Sequence, residues 1–276
     1  MRRSLIERAI IYVIAGGFTL GAAFPVLWAL NVSLRFEKDI ITRHVALLPN
    51  PATLTNYIAI WTQSNLPALM WNSAVATFFT VVICVAAGTL AAYAVSRTRF
   101  RGRRNVLLFF LVLRMFPVVL MIIPLFVIMR NAGLLDTRIG LALAYTGFLL
   151  PIFVWMMKGF FDAIPAELEE AARIDGCTRL GAMVRVVLPL VQGGLWACAV
   201  FIGIAAWNEY LFALMLTTSS GSRTWPVGLQ LMVGEFQLPW GALTAGGILS
   251  ILPVLALFAV VQRSMVRGLA QGAVKG

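Results

Sequence analysis

PAELEEAARIDGCTRLGAMVRVVLP, residues 165–189, is the one long polar interruption in the second half of an otherwise apolar chain. Pro165 suits the first turn of a helix, where its missing N–H removes no hydrogen bond. Glu167, Glu169 and Glu170 place negative charge near the positive end of the helix dipole. Ala171 and Ala172 are strong helix formers of little bulk. Gly176, after Asp175, can take the left-handed conformation that ends a helix, and a bulky residue there is expected to fill the elbow. Thr178 is placed to cap a second short helix carrying Arg179 and Arg185, which Pro189 closes. The stretch therefore predicts a helix, a glycine elbow and a helix, lying outside a bilayer.

The rest of the chain explains why a bilayer enters. Only 12% of its 276 residues are charged, about half the share of a soluble domain. Its apolar residues gather in runs of about 20 or more, the length that crosses the hydrocarbon core. The run from Ala9 to about Leu30, behind Arg2, Arg3 and Arg8, is too long for a cleaved leader and is read as a retained span. Five more runs cover about 69–95, 106–129, 139–161, 193–216 and 242–261. The expected fold is an all-α integral membrane protein of six transmembrane helices in one domain, 1–276. It has an external loop at about 31–68, the polar loop at about 162–190 and a tail at about 263–276. In the external loop Thr55 is placed to cap a small helix. Small residues in the second span, among them Gly88, suit close helix packing.

Six spans put both termini on one side. Fifteen basic residues then fall on the side of the termini and the polar loop, and six on the other, with Arg114 inside the third span. Basic loops favour the cytoplasm, so both termini and the polar loop are expected there. The formal charge of +11 is accounted for by this anchoring, and no nucleic acid partner is expected. Cys84, Cys177 and Cys198 show no pairing pattern.

Glu170-Ala171-Ala172, Gly176, Val186, Leu188 and Pro189 stand at the spacing of Glu-Ala-Ala, three residues, Gly, nine residues, Ile, any residue, Leu-Pro. This resembles the signature loop of the permeases of binding-protein-dependent ABC importers, with Val186 for Ile and Cys177 where a small Ala is usual. The resemblance implies a type I ABC importer transmembrane domain whose loop is a cytoplasmic coupling helix. It assigns ATPase coupling to Glu170, Ala171, Ala172, Asp175, Gly176 and Pro189. The tail GLAQGAVKG, residues 268–276, is similar to that of carbohydrate permeases of the maltose-system type. It implies that Gly272 and Lys275 reach between the ATPase subunits, against the alternative of a frayed terminus. The partners implied are a homologous second permease, two copies of an ATP-binding subunit, an external solute-binding protein and membrane lipid. The location implied is the bacterial inner membrane.

Polar groups inside the membrane are costly enough to mark a pathway. Arg114 either lines a substrate cavity or pairs with another helix. Asn208 and Glu209, in a segment WNEY that also resembles the sugar-permease branch, either face the translocation path or bond neighbouring helices. Asn72 and Ser73 match another recurring pair of that family. No catalytic constellation is present: the one histidine, His44, is in the external loop, and no glycine-rich phosphate loop occurs. ATP and Mg are therefore expected on the partner ATPase, with no cofactor bound here. The cargo expected is a carbohydrate, with a polyol or a sulfonated or phosphorylated sugar as alternatives. The competing class is an ion-coupled secondary transporter, against which no inverted repeat is apparent.

Overall fold

A computed structural model describes residues 5–42, 47–63, 65–234 and 238–272. In chain order its helices are α1 (Leu5–Ser33), α2 (Thr55–Gln63), α3 (Leu66–Arg97), α4 (Arg103–Met115), α5 (Val118–Asn131), α6 (Arg138–Asp162) and α7 (Ala166–Ile174). There follow α8 (Arg179–Ala182), a π-helical turn (Met183–Val187), α9 (Leu188–Leu190), α10 (Gln192–Trp207), α11 (Leu211–Leu216), α12 (Trp225–Leu231) and α13 (Trp240–Gly272). Among the described residues there is no strand. A spanning chain must satisfy each backbone group within its own segment, and helices do so.

Segments of α1, α3, α6 and α13 are each long and apolar enough to cross a membrane. The count reaches six when two bent pairs are each taken as one span. The expected third span is one such pair: α4 and α5 meet at 102°. Pro117 causes the break. It has no N–H to continue the helix and forces the residue before it into extended backbone, and Phe116 has ψ 132°. Pro25, Pro124, Pro151 and Pro253, by contrast, lie inside continuous helices.

The second pair corrects the reading of Pro189. The helix does not close there. It runs on to Leu190 and turns by 81° at Val191 into α10. The π turn ahead of Pro189 widens the coil where the proline ring would meet the carbonyl four residues back. The expected fifth span also stops early. α10 ends at Trp207, and α11 restarts at Leu211.

The described chain divides into two compact units. In the larger, residues 68–228 and 253–276, α6 is the central helix, with Tyr145, Phe153, Val154, Met157 and Phe161 fully buried. Gly88 of α3 and Gly194 of α10 admit the rings of Phe153 and Phe160 at its surface. In the smaller, residues 1–67 and 229–252, Asn56 donates to the carbonyls of Ser33 and Arg35 at 2.8 and 2.7 Å. The Glu37 carboxylate there accepts from the Trp240 and Gly241 amides, at 2.8 and 2.9 Å, and caps the start of α13. Thr53, rather than Thr55, supplies the side-chain oxygen before α2, accepting from the Thr55 amide at 3.1 Å.

Candidate functional site

The loop from α7 to α9 is built around its glycine. Gly176 has φ +89°. Its amide donates to Arg173 O at 3.1 Å, and the Cys177 amide donates to Ala172 O at 3.0 Å. This pair of bonds is a Schellman motif, which satisfies the last carbonyls of α7 and turns the chain. Asp175 is the C-cap residue of α7. Thr178 accepts from the Gly181 amide at 3.1 Å and caps α8, as its position in the sequence predicts.

α7 has two unlike faces. Glu169 and Ala172, three residues apart, are buried. Glu170 and Ala171 are exposed, and beside them Leu168, Ile174, Leu180 and Val184 present apolar surface. Glu169 is a functional candidate that the signature does not mark. Its Oε1 accepts a hydrogen bond from the Tyr93 hydroxyl of α3, and its Oε2 lies 3.4 Å from Arg97 Nε. The sequence signal for it was helical spacing alone, since position 169 shares a face with position 172.

The pathway candidates gather around one aromatic pair, with Phe148 near the middle of α6. Arg114, exposed in the last turn of α4, lies over the Phe148 ring with its guanidinium carbon 5.2 Å from the centroid. Phe148 meets Phe212 edge-on at 5.8 Å. Glu209 in turn accepts from the Phe212 amide at 2.9 Å and the Ala213 amide at 3.2 Å, so both its oxygens cap α11. Asn208, exposed, bonds back to Ile204 O at 2.8 Å and ends α10. Two interruptions of the expected spans lie beside these residues, at 116–117 between α4 and α5 and at 208–210 between α10 and α11, while the 81° bend at Val191 belongs to the polar loop. Broken helices in a bilayer are tolerated where they line a cavity or are buried in protein.

Two further groups, at the head of α3 and just ahead of α6, were unassigned or half-assigned in the sequence. Asn72 donates to Ser220 O and Arg223 O at 3.0 and 2.9 Å, and Ser73 Oγ accepts from the Trp225 amide at 2.8 Å. The pair thus ties the head of α3 to the loop before α12. Asp136, in the left-handed region at φ 57°, accepts from the Thr218 and Ser219 amides at 2.7 and 2.9 Å and from the Ser222 hydroxyl. Burial opposes its ionisation, yet these donors outweigh it and hold its carboxyl well below the usual range. Gly272 is the last residue of α13, and Lys275 lies outside the described residues. Among the described residues no cluster of His, Cys, Asp and Glu could hold a metal.

Up to six apolar segments, two of them bent, and a capped helix–elbow–helix loop define a multi-pass helical membrane protein. Residues 84–271 match the family described as binding-protein-dependent transport system inner membrane component, and the chain belongs to that family. It is 34% identical over 279 residues to the trehalose/maltose transport system permease protein MalG of Thermococcus litoralis, covering 100% of both chains. It is 37% identical over 273 residues to the trehalose transport system permease protein SugB of Mycobacterium tuberculosis, covering 98% of this chain and 99% of that one. With the sulfoquinovosyl glycerol transport system permease protein SmoH of Agrobacterium fabrum it shares 35% over 265 residues, 96% of this chain and 93% of that one. Among solved structures it aligns with a chain of a bacterial ABC transporter involved in the import of the acidic polysaccharide alginate. The TM-score is 0.79 and the identity 26%, over 95% of this chain and 99% of that one. The fold is that of a type I ABC importer transmembrane domain.

Proposed function

We infer that the chain is the permease subunit of a binding-protein-dependent ABC importer for a carbohydrate, moved inward by ATP-driven alternating access. The observation that carries this reading is the exposed surface of α7, α8 and the π turn, where Leu168, Ile174, Leu180 and Val184 are exposed along with the signature residues Glu170, Ala171 and Gly176. An apolar patch around a rigid elbow fits a docking contact on a partner. That partner is an ATP-binding subunit present in two copies, which holds the ATP and Mg. This chain has no ATPase site and binds no cofactor. A homologous second permease completes the pathway, and an external binding protein delivers cargo. Both termini and the loop lie in the cytoplasm, a reading that the basic asymmetry of the sequence supports. The tail, with Gly272 and Lys275, reaches toward the ATPases.

Carbohydrate is the cargo class because relatives that align over nearly the full chain are named for trehalose, maltose and sulfoquinovosyl glycerol transport. Arg114 and Asn208 are the pathway residues. A cation–π contact with Phe148 occupies none of the guanidinium N–H donors in a hydrogen bond, which leaves them for hydroxyl or anionic groups. Glu209 positions α11 instead of meeting cargo. The exposed arginine favours a second reading, in which the cargo is an anionic sugar.

The test is uptake by the four-part complex in proteoliposomes, offering trehalose and a sulfonated sugar with their binding proteins. Uptake is expected to require ATP on the loop side and to persist when ion gradients are collapsed. Uptake that follows an ion gradient and survives ATP depletion overturns the reading.

A further inference from the structure

Glu169 immediately precedes the signature Glu170, yet the two side chains do opposite things. Glu170 is exposed, and Glu169 is buried among groups of α3. The Tyr93 hydroxyl donates to Glu169 Oε1, and the same hydroxyl oxygen lies 3.3 Å from Arg179 O at the start of α8. Arg97 Nε pairs with Glu169 Oε2 at 3.4 Å, and a terminal nitrogen of Arg97 donates to Ile164 O at 2.7 Å, just ahead of α7. Ser96 donates to Asp162 Oδ1 at 2.5 Å, in the last turn of α6. Below them the Tyr93 ring meets Phe161 edge-on at 5.7 Å. One face of the last turn of α3 therefore grips the end of α6, the entry to α7, α7 itself and the start of α8.

Such a buried carboxylate is costly unless paired, and removing one partner leaves the other charge stranded. Paired charges with directional geometry also fix a single register, which apolar packing alone does not. Glu169 thus holds α7 on α3 at one position. α3 is in turn unbroken for 32 residues, a rod about 48 Å long at helical rise. At its other end Asn72 and Ser73 hold the loop before α12.

We propose that the Tyr93–Glu169–Arg97 clamp joins α7 and α3 into one lever. Displacement of the loop is then delivered along α3 to the far-end loop at residues 217–224. This rests on reading α7 as the ATPase contact. Glu169, Tyr93 and Arg97 are positioning residues of that lever: they touch neither cargo nor nucleotide.

The experiment places spin labels at Ala166→Cys on α7 and Phe78→Cys on α3, in a Cys177→Ser background. Both label sites are exposed, and the remaining Cys84 and Cys198 are buried. Distances are measured in the assembled complex, nucleotide-free and trapped with ATP and vanadate. In the parent the separation is expected to stay within about 2 Å between states, the size of ordinary helix shifts. In Tyr93→Phe and in Glu169→Gln it is expected to change by more than that or to broaden. The two effects should be non-additive in the double variant, since both act through one contact. A parent separation that changes as much as the variants', or variants that keep the parent's constancy, overturns the lever. If Glu169→Gln fails to assemble, Tyr93→Phe decides alone. If no ATPase subunit co-purifies with the parent, the reading of α7 fails. The clamp is then judged from the width of the nucleotide-free distances, narrow in the parent and broad in the variants if it exists.

Discussion

Gly88 on α3 and Phe153 on α6 approach so closely that a Cβ at position 88 would lie 2.4 Å from Phe153 Cδ1 and 2.9 Å from its Cε1. Phe153 is fully buried and has nowhere to retreat. Overpacking of this kind costs about 1–3 kcal/mol, so Gly88→Ala is expected to lower the melting temperature of the purified protein by several degrees. Gly147, on α6, is the contrast, with nothing within 4 Å of its added Cβ. Gly147→Ala should stabilise by roughly 0.5–1 kcal/mol from helix propensity alone. Equal melting of Gly88→Ala and the parent would show that the helices are not in this register.

The constraint at Gly176 is its backbone. No heavy atom of this chain lies within 4 Å of a Cβ built there, so a first side-chain carbon meets no clash within the chain and the strain falls on the backbone. At φ +89° an L side chain costs on the order of 1–2 kcal/mol. Asn tolerates this region better than Ala or Val. ATP-dependent uptake by Gly176 variants should therefore fall in the order Asn, Ala, Val. An order that follows side-chain volume, with Ala best, would return the argument to space.

Much of this architecture was legible because bilayers restrict the choice. A run such as 69–95 has no state but helix, and the elbow at Gly176 follows from residue types whose local preferences agree. What stayed illegible turned on single bonds across distant segments. Pro117 and Pro25 both stand inside apolar runs, yet only Pro117 breaks its span, where Phe116 ahead of it is extended at ψ 132° while α1 runs unbroken through Pro25. Glu209 reads as an intramembrane acid, and only the position of the Phe212 and Ala213 amides shows that it is a cap. Glu169 was hidden by its neighbour: the signature draws the eye to Glu170, and nothing local reveals that Tyr93 and Arg97 wait on another helix.

Asp136 gives a pH signature with a definite sign. Its carboxyl is depressed in the folded protein by the donors from Thr218, Ser219 and Ser222, despite partial burial. A depressed acid contributes stability that is present above its unfolded value, near 3.9, and is lost as pH falls toward the folded value. Asp136→Asn keeps the left-handed backbone tolerable but removes the charge. The variant should melt below the parent at pH 7, and the gap should narrow as pH drops below about 4. A gap that is constant from pH 7 to pH 3 would mean that the carboxylate charge contributes nothing to holding the loop.

Glu209 and Arg114 divide the polar work at the broken spans, and their variants should fail differently. Both oxygens of Glu209 are occupied by the Phe212 and Ala213 amides. Glu209→Gln keeps one acceptor and should destabilise α11 by about 1 kcal/mol, the usual loss at a cap, lowering melting temperature while leaving KM for uptake near the parent value. Arg114 is exposed, with its guanidinium over the Phe148 ring. Arg114→Gln should leave melting nearly unchanged and raise KM, more for a sulfonated sugar than for trehalose, because the loss of a charge-assisted bond falls hardest on an anion. The reverse pattern, with Glu209→Gln raising KM and Arg114→Gln melting early, would exchange their roles. It would place the carboxylate, freed from its amides, in contact with the cargo.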